Sequence, residues 1–284
     1  MFMFKKKKSL WLFLLPGLAG LMVFYIVPFI GGIYFSLTDG TIASNFVGLQ
    51  NYKRVWDNPV FILGLKNSLL LSVICAPSIF LLSFIFAVML KSLGEKSLGF
   101  RNVLLMPYLV PSAALLVIWT IIFDYGGIMN KLFVKLGFGR QLWLESERLR
   151  VPIILLYIWK NVGFSVVIFS AALQSVPEEF YEFARLEGAS AFKQETKITI
   201  PLILPTAFLV FVLAWVNAFR IFKEVYFIGG AYPKEAVYTL QHFMNNKLSQ
   251  LDYQDVTTAA YSFAVIVFVL FGALYASKGV RGNE

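Results

Sequence analysis

The chain has 284 residues, of which 58% are hydrophobic and 14% are charged, and its net charge is +9. Soluble domains carry about 25% charged residues, so this composition excludes an ordinary soluble protein and indicates one surrounded by lipid. Cys75 is the single cysteine and His242 the single histidine. A disulfide framework is therefore excluded, and a transition-metal site lacks ligands.

Six long apolar runs predict membrane helices, because about 20 apolar residues are needed to cross the hydrocarbon core of a bilayer. Lys160 is the one charged residue inside these apolar runs, when the fifth run is counted as far as Phe219. The loops between the runs are too short for a soluble domain. We therefore predict an all-α integral membrane protein with a single transmembrane domain over residues 1–284. Its helices are expected near residues 10–36, 67–90, 102–123, 151–176, 198–222 and 256–277.

A lysine cluster, Lys5 to Lys8, precedes the first run. This arrangement is similar to the start of a signal peptide, but the run is too long and lacks a small-residue cleavage site, so we predict a retained helix. Lysine clusters favour the cytoplasmic side, and with six crossings both termini are expected there. The other basic residues divide almost evenly between the two sides. They are scattered at helix ends, which suits lipid headgroups and excludes a nucleic-acid surface.

The segment 175–197 is polar and stands out in an apolar chain. Ser175 is predicted to cap a short amphipathic helix, with Glu178 reaching back to the cap. Gly188 is predicted to form a left-handed turn, after which a second helix starts at Ala191 and ends at Pro201.

The motif Glu182-Phe183-Ala184, followed by Gly188-Ala189, resembles the EAA loop of ABC importer permeases. In that family the loop enters a cleft on the ATPase subunit. The resemblance therefore implies a coupling surface, although Phe183 stands where alanine is usual. The alternative is an amphipathic helix that lies on the membrane and binds no partner. The residues implied in coupling are Glu178, Glu182, Ala184, Gly188 and Ala189.

Four further segments are similar to the sugar-importing permeases of the maltose and glycerol-phosphate type, and they lie at 46–52, 101–111, 118–130 and 219–233. The resemblance implies a MetI-like architecture in a bacterial inner membrane. It also implies a heterodimer with a second homologous permease, two copies of an ABC ATPase and an extracytoplasmic solute-binding protein. This chain would hold no cofactor, since ATP and Mg would be bound by the ATPases.

Polar groups within the apolar runs are candidates for the substrate pathway, because a charge at mid-membrane costs about 2.5–3.5 kcal/mol. An aromatic ring beside hydrogen-bonding groups suits a sugar. The alternative to a substrate contact for Lys160 is that it snorkels to the surface or pairs with Glu224 for packing. Trp215 equally suits a lipid-facing position, and Arg220 suits headgroup contact. The candidates are Trp159, Lys160, Asn161, Trp215, Asn217 and Arg220.

An ion-coupled carrier is the main alternative function, and it usually needs buried carboxylates. None of the six runs contains one, because Asp124 and Glu224 lie at run ends. A membrane enzyme is a second alternative, but no run holds a nucleophile and base set, so we predict no catalytic residues. The chain also lacks a phosphate-binding loop, so a separate ATPase is implied. We therefore expect half of the translocation pathway for a sugar or oligosaccharide, with acidic sugars left open by Lys160 and Arg220.

Overall fold

The computed structural model describes residues 14–41, 44–94 and 97–279, with side chains as far as residue 272. The cluster Lys5 to Lys8 and the expected helix start at residue 10 lie outside the described residues. Within them the secondary structure consists of helices joined by turns and loops, and the β-structure of the described residues is limited to an isolated bridge between Thr38 and Phe46. The predicted all-α fold is therefore confirmed.

Thirteen helices are numbered here in chain order through the described residues. The first, α1, includes a π-helical segment at Met22–Ile26, and a second π-helical segment, Glu195–Thr199, joins α9 to α10. The helices are α1 (Leu14–Ser36), α2 (Gln50–Trp56), α3 (Pro59–Lys91), α4 (Ser97–Leu109), α5 (Ser112–Phe123), α6 (Ile128–Lys135), α7 (Arg150–Gln174), α8 (Glu178–Leu186), α9 (Ala191–Gln194), α10 (Ile200–Ala218), α11 (Phe222–Gly229), α12 (Leu240–Ser249) and α13 (Tyr253–Gly279).

Six helical stretches among the described residues are long and apolar enough to cross a bilayer, as predicted. Their bounds are Leu14–Ser36, Pro59–Lys91, Ser112–Lys135, Glu147–Gln174, Ala191–Gly229 and Tyr253–Gly272.

The third predicted helix, at 102–123, is divided into α4 and α5. The break falls at Pro111, which is the N-cap of α5 with φ −53° and ψ 132°. Proline has no N–H to donate, and it also disfavours helical backbone in the residue before it. Because Pro111 is visible in the sequence, the division of this helix could have been predicted from it.

The described residues form two compact units: those from 14 to 62 together with those from 243 to 279 make the first, and those from 63 to 242 make the second. In the first unit, Asn51 Nδ2 donates to the carbonyls of Ser36 at 3.0 Å and Thr38 at 2.8 Å. The Tyr52 hydroxyl donates to Ser36 Oγ at 3.0 Å. These bonds hold α2 against the end of α1, and they give a structural role to the Asn-Tyr pair of the 46–52 motif. The expectation of one domain over the whole chain stays a prediction.

The second unit is built around α7, whose buried face runs from Pro152 to Leu173. Phe169 packs edge-to-face against Phe80 and Phe84 of α3, with ring centroids 5.5 Å and 5.6 Å apart. Gly163 allows α4 to approach closely, since a Cβ there would lie 1.9 Å from the carbonyl oxygen of Leu104. Glycine at this position is therefore required by packing.

Hydrogen bonds fix the loop between α11 and α12 to the rest of this unit. Asn67 Nδ2 donates to the carbonyls of Glu235 at 2.6 Å and Tyr238 at 2.9 Å. Arg150 Nη2 donates to the carbonyl of Ala236 at 2.7 Å. Because these partners are buried or half-buried, the loop is held firmly, and the start of α12 is brought beside α7 and α11.

Candidate functional site

A polar cavity of about 450 Å³ lies within the second unit, among helices that are otherwise apolar. Two tyrosine rings line it beside amide, hydroxyl and charged groups. Side chains from α4, α5, α7, α10, α11 and α12 contribute to the wall. The lining residues are Tyr108, Ser112, Tyr157, Lys160, Asn161, Asn217, Arg220, Lys223, Glu224 and Gln241.

Lys160 and Glu224 form an ion pair in the wall of this cavity. Lys160 Nζ lies 3.5 Å from Glu224 Oε1, and the two side chains are 13% and 7% exposed. Lys160 also donates a hydrogen bond to Ser112 Oγ. A charge at this depth is tolerated only when it is paired or hydrogen-bonded, and Lys160 meets both conditions.

Arg220 and Lys223 add two further cations to the same cavity. Both are exposed, and neither takes part in the ion pairs formed by the described residues. Since Glu224 offsets one of the three cations, the cavity keeps an excess of two positive charges. Its field therefore favours an anionic group.

Four of the six predicted pathway residues meet in this cavity: Lys160, Asn161, Asn217 and Arg220. Trp159 does not line it; it lies in an apolar groove and stacks on Trp119 with centroids 5.7 Å apart. Adjacent residues on a helix point about 100° apart, so Trp159 and Lys160 face different surroundings.

Trp215 also lies outside the cavity lining and packs against Phe211, with ring centroids 5.7 Å apart. Asn217, which follows Trp215 by two residues on α10, lines the cavity. This separation agrees with the expectation that residues two apart point to different sides of a helix.

Some lining residues were not among the predicted site residues. Ser112 and Gln241 carry no signal of their own, because each is an ordinary polar residue near the start of a helix. Tyr108 stacks on Phe164 with centroids 4.9 Å apart and reaches the cavity only through the packing of α4 on α7. Lys223 lies three positions after Arg220, a spacing that places two residues on the same side of a helix and that the sequence does show.

The polar segment 175–197 forms the predicted pair of short helices, α8 and α9. Gly188 has φ +73°, in the left-handed region predicted for it. Its N–H donates to the carbonyl of Arg185 at 3.0 Å, and the Ala189 N–H donates to the carbonyl of Ala184 at 2.9 Å. These two bonds make a Schellman motif, which satisfies carbonyls at the end of α8.

Two boundary predictions for this segment are wrong. Ser175 does not cap α8: it closes α7, and its hydroxyl donates to the carbonyl of Ala172 at 2.7 Å, while Pro177 is the N-cap of α8. The second helix does not end at Pro201 but continues into α10. Pro201 lies in the first turn of α10, where a missing N–H leaves no bond unmade.

The predicted coupling residues lie together on this hairpin. Glu178 and Glu182 are exposed on α8, and Glu178 Oε1 lies 2.8 Å from Arg185 Nη2. Ala184, Gly188 and Ala189 form the turn just described. Four large apolar side chains of this hairpin are also exposed. An exposed apolar patch of this kind indicates a surface that contacts a partner. The four side chains are Phe180 (49% exposed), Phe183 (70%), Leu186 (84%) and Phe192 (78%).

A polar cavity among membrane helices, together with an exposed amphipathic hairpin, is typical of a component of a membrane transport system. The chain belongs to the family described as binding-protein-dependent transport system inner membrane component, whose model matches residues 79–277. It is accordingly a multi-pass inner-membrane protein and not an enzyme. Membership implies a binding protein and an ATPase as partners.

Curated relatives cover nearly the whole chain. A probable ABC transporter permease protein of Pyrococcus horikoshii is 30% identical over 93% of this chain and 91% of the relative. The lactose transport system permease protein of Rhizobium radiobacter is 26% identical, over 94% and 93%. The trehalose/maltose transport system permease protein of Thermococcus litoralis is 28% identical, over 97% and 95%.

A solved structure shows the same fold. It is the crystal structure of a bacterial ABC transporter involved in the import of the acidic polysaccharide alginate, matched with a TM-score of 0.82 at 22% identity. The match covers 98% of this chain and 96% of the solved chain. Together with the family match, this likeness confirms the predicted MetI-like fold.

Proposed function

We propose that this chain forms half of the translocation pathway of an ATP-driven importer for a sugar or oligosaccharide. The cavity of about 450 Å³ carries this proposal, because it combines tyrosine rings with amides and charged groups. Sugars present an apolar face and a rim of hydroxyls, so stacking rings beside hydrogen-bonding groups suit them. The relatives named for lactose and for trehalose and maltose support the same substrate class.

The charge in the cavity favours an acidic saccharide over a neutral one. Lys160 is matched by Glu224 at 3.5 Å, whereas Arg220 and Lys223 remain available to a ligand. Arginine binds carboxylate and phosphate in a bidentate geometry, so Arg220 is proposed as the principal contact for the acidic group.

Uptake of labelled saccharides into proteoliposomes tests the substrate assignment. The panel comprises maltose, lactose and a disaccharide of uronic acids, with the binding protein added outside. Arg220→Gln is expected to reduce uptake of the uronate about tenfold, since a charge-assisted hydrogen bond is lost, and to leave neutral sugars unchanged. Asn217→Ala is expected to alter affinity for every transported member. Unchanged kinetics for the whole panel in both variants would contradict the placement of the pathway.

The hairpin 175–197 is proposed as the docking surface for the ATPase, through Glu178, Glu182 and the turn at Gly188. Its bare phenylalanines and Leu186 support this role, because an apolar patch with acidic residues beside it suits a protein partner. We further propose two ATPase copies that bind ATP and Mg, a second homologous permease as heterodimer partner, and cytoplasmic termini. The resemblance of the loop and the lysines at 5–8 support these assignments.

Glu182→Lys and Gly188→Pro test this docking. Both are expected to leave membrane insertion intact and to abolish ATP-driven uptake, since one reverses a surface charge and the other removes the N–H of Gly188 that bonds Arg185. Glu145→Lys is a matched control, because it reverses an exposed charge in the loop before α7. Retained uptake in either hairpin variant would count heavily against the coupling role.

A further inference from the structure

A single side chain anchors α8 to the body of the second unit. Of the nine residues of α8, Tyr181 alone is buried, at 4% exposure. Phe183 and Leu186 are bare, and they lie roughly 200° and 140° around the helix from Tyr181, on the opposite side. The helix therefore has one face open to a partner and one face fastened by Tyr181.

The Tyr181 side chain contacts two residues that are distant from it in the sequence, Thr199 and Lys91. Its hydroxyl shares a hydrogen bond of 2.8 Å with Thr199 Oγ1, and Thr199 is fully buried. The ammonium group of Lys91 lies over its ring, 3.8 Å from the centroid. Lys91 is the last residue of α3, and Thr199 is the N-cap of α10. Tyr181 therefore joins α8 to the ends of two membrane helices at once.

The route along the backbone from α8 to α10 is indirect. It passes the left-handed turn at Gly188, the cap at Ser190 and the π-helical segment Glu195–Thr199. Each is a departure from regular helix, and π-helical segments are frequent at functional sites. The hydrogen bond between Tyr181 and Thr199 connects α8 directly to the start of α10. A displacement of α8 therefore reaches α10 without passing along the irregular backbone between them.

The helix α10 extends this contact to the cavity. From Thr199 to Asn217 it spans 18 residues, or about 27 Å at 1.5 Å per residue, and Asn217 lines the cavity wall. A tilt of α10 imposed at Thr199 therefore displaces the Asn217 side chain at the other end of the helix.

We propose that Tyr181, with Thr199 and Lys91, is a positioning group that transmits movement of the docked hairpin to α10 and α3. The inference rests on the proposed docking of the ATPase at this hairpin. Tyr181 does not contact the substrate: it acts by holding the hairpin and the base of α10 as one rigid piece. Without the bond, the hairpin would follow the partner while α10 lags behind.

The test measures movement in the assembled complex with its ATPase subunits. Spin labels are placed through Leu209→Cys on α10 and Lys135→Cys on α6, both exposed positions, so that the distance reports the movement of α10 relative to a helix outside the hairpin. The background is Cys75→Ser, which removes the one cysteine of this chain. Distances between the labels are recorded with Mg-ATP and orthovanadate and in their absence. Tyr181→Phe, which removes only the hydroxyl, is expected to reduce the population that shifts about fivefold, as for an equilibrium that loses one buried hydrogen bond. ATP hydrolysis and the amount of bound ATPase should be unchanged.

Companion variants separate transmission from stability. Thr199→Val should reproduce the loss, and combining it with Tyr181→Phe should add nothing, because both remove the same bond. Thr199→Ser keeps the hydroxyl and should restore the shift. Tyr125→Phe, an exposed tyrosine in the loop between α5 and α6, is the matched control and should have no effect.

A full distance change in both Tyr181→Phe and Thr199→Val overturns the proposal. So does a loss of ATPase binding or of thermal stability that accounts for the reduced shift. Gly188→Pro tests the docking separately. If this variant also shifts and transports normally, the proposed function itself fails. If Gly188→Pro loses the shift and the transport while Tyr181→Phe and Thr199→Val keep them, only the relay through Tyr181 is rejected.

Discussion

Lys160 of α7 and Glu224 of α11 form an ion pair in the wall of the cavity, with Nζ 3.5 Å from Oε1 and both side chains nearly buried. From the sequence alone, pairing with Glu224 is an alternative to a substrate contact for Lys160. Lys160 both pairs with Glu224 and lines the cavity, so the ion pair does not remove it from the proposed substrate pathway.

Removing one partner of this pair should cost more than removing both. We expect Lys160→Met to lower stability by about 3 kcal/mol, because it leaves a carboxylate buried without its cation. The double variant Lys160→Met with Glu224→Leu should recover most of that loss. Thermal unfolding of the purified protein in detergent measures both effects, and equal losses in Lys160→Met and in the double variant would show that the cost does not come from a carboxylate left buried without its cation.

Gly188 should tolerate asparagine and reject valine. Its φ of +73° is reached readily by glycine and sometimes by asparagine, whereas a β-branched side chain there is strained by about 1–2 kcal/mol. We expect Gly188→Asn to keep most ATP-driven uptake and Gly188→Val to lose most of it, with equal amounts of protein in the membrane. Gly137→Val is the matched control, since Gly137 also has positive φ but lies after α6. Equal uptake in the two Gly188 variants would exclude a role for this turn.

The stability of the second unit should fall between pH 7 and pH 5 because of His242. Burial lowers the pKa of His242 from 6.5 to about 4. Nδ1 accepts hydrogen bonds from the Thr239 N–H at 3.2 Å, and the ring packs against Phe222 and Tyr238, so the neutral form is favoured. Below pH 6.5 the unfolded chain takes up a proton that the folded chain refuses, so stability is lost as pH falls.

At pH 5 this loss amounts to about 2 kcal/mol, or a fall of roughly 5 °C in the unfolding temperature. Unfolding followed across pH 7 to 5 measures it. His242→Gln keeps an acceptor for the Thr239 N–H but does not titrate, so its pH dependence should be shallower. An identical slope in the two proteins would assign the pH dependence to other groups.

Asp255 should matter more for the first unit than Asp252 does. Its buried carboxylate lies 2.6 Å from Arg54 Nη2 and 2.7 Å from Lys247 Nζ. Asp252 pairs with one cation, Lys247, at 3.1 Å, its Oδ1 accepts the Asp255 N–H at 3.1 Å, and its side chain is 29% exposed. We expect Asp255→Asn to cost about 2 kcal/mol, discounted because Arg54 is largely exposed, and Asp252→Asn to cost less than about 1 kcal/mol. Denaturant unfolding of both variants measures the difference, and comparable losses would contradict this ranking.

The local elements of the fold were largely predictable. The six apolar runs, the left-handed turn at Gly188 and the restart of helix at Ala191 follow from run length and from the backbone freedom of glycine. The boundary errors at Ser175 and Pro201 arose where two local rules compete. A serine can cap the next helix or close the previous one, and a proline can end a helix or begin one.

What the sequence determined by itself was the membrane character, the number of membrane helices and the polar hairpin, because apolar run length and turn chemistry are properties of neighbouring residues. Only the tertiary structure decided which polar groups share a cavity. Tyr108, Ser112 and Gln241 meet Lys160 through the packing of distant helices, while Trp159 and Trp215 are turned away from it. The same holds for Tyr181 and Thr199, which are 18 positions apart. The physical reason is that helix rotation and approach are set by close packing, as at Gly163 against Leu104, and packing between distant segments leaves no periodic mark in one sequence.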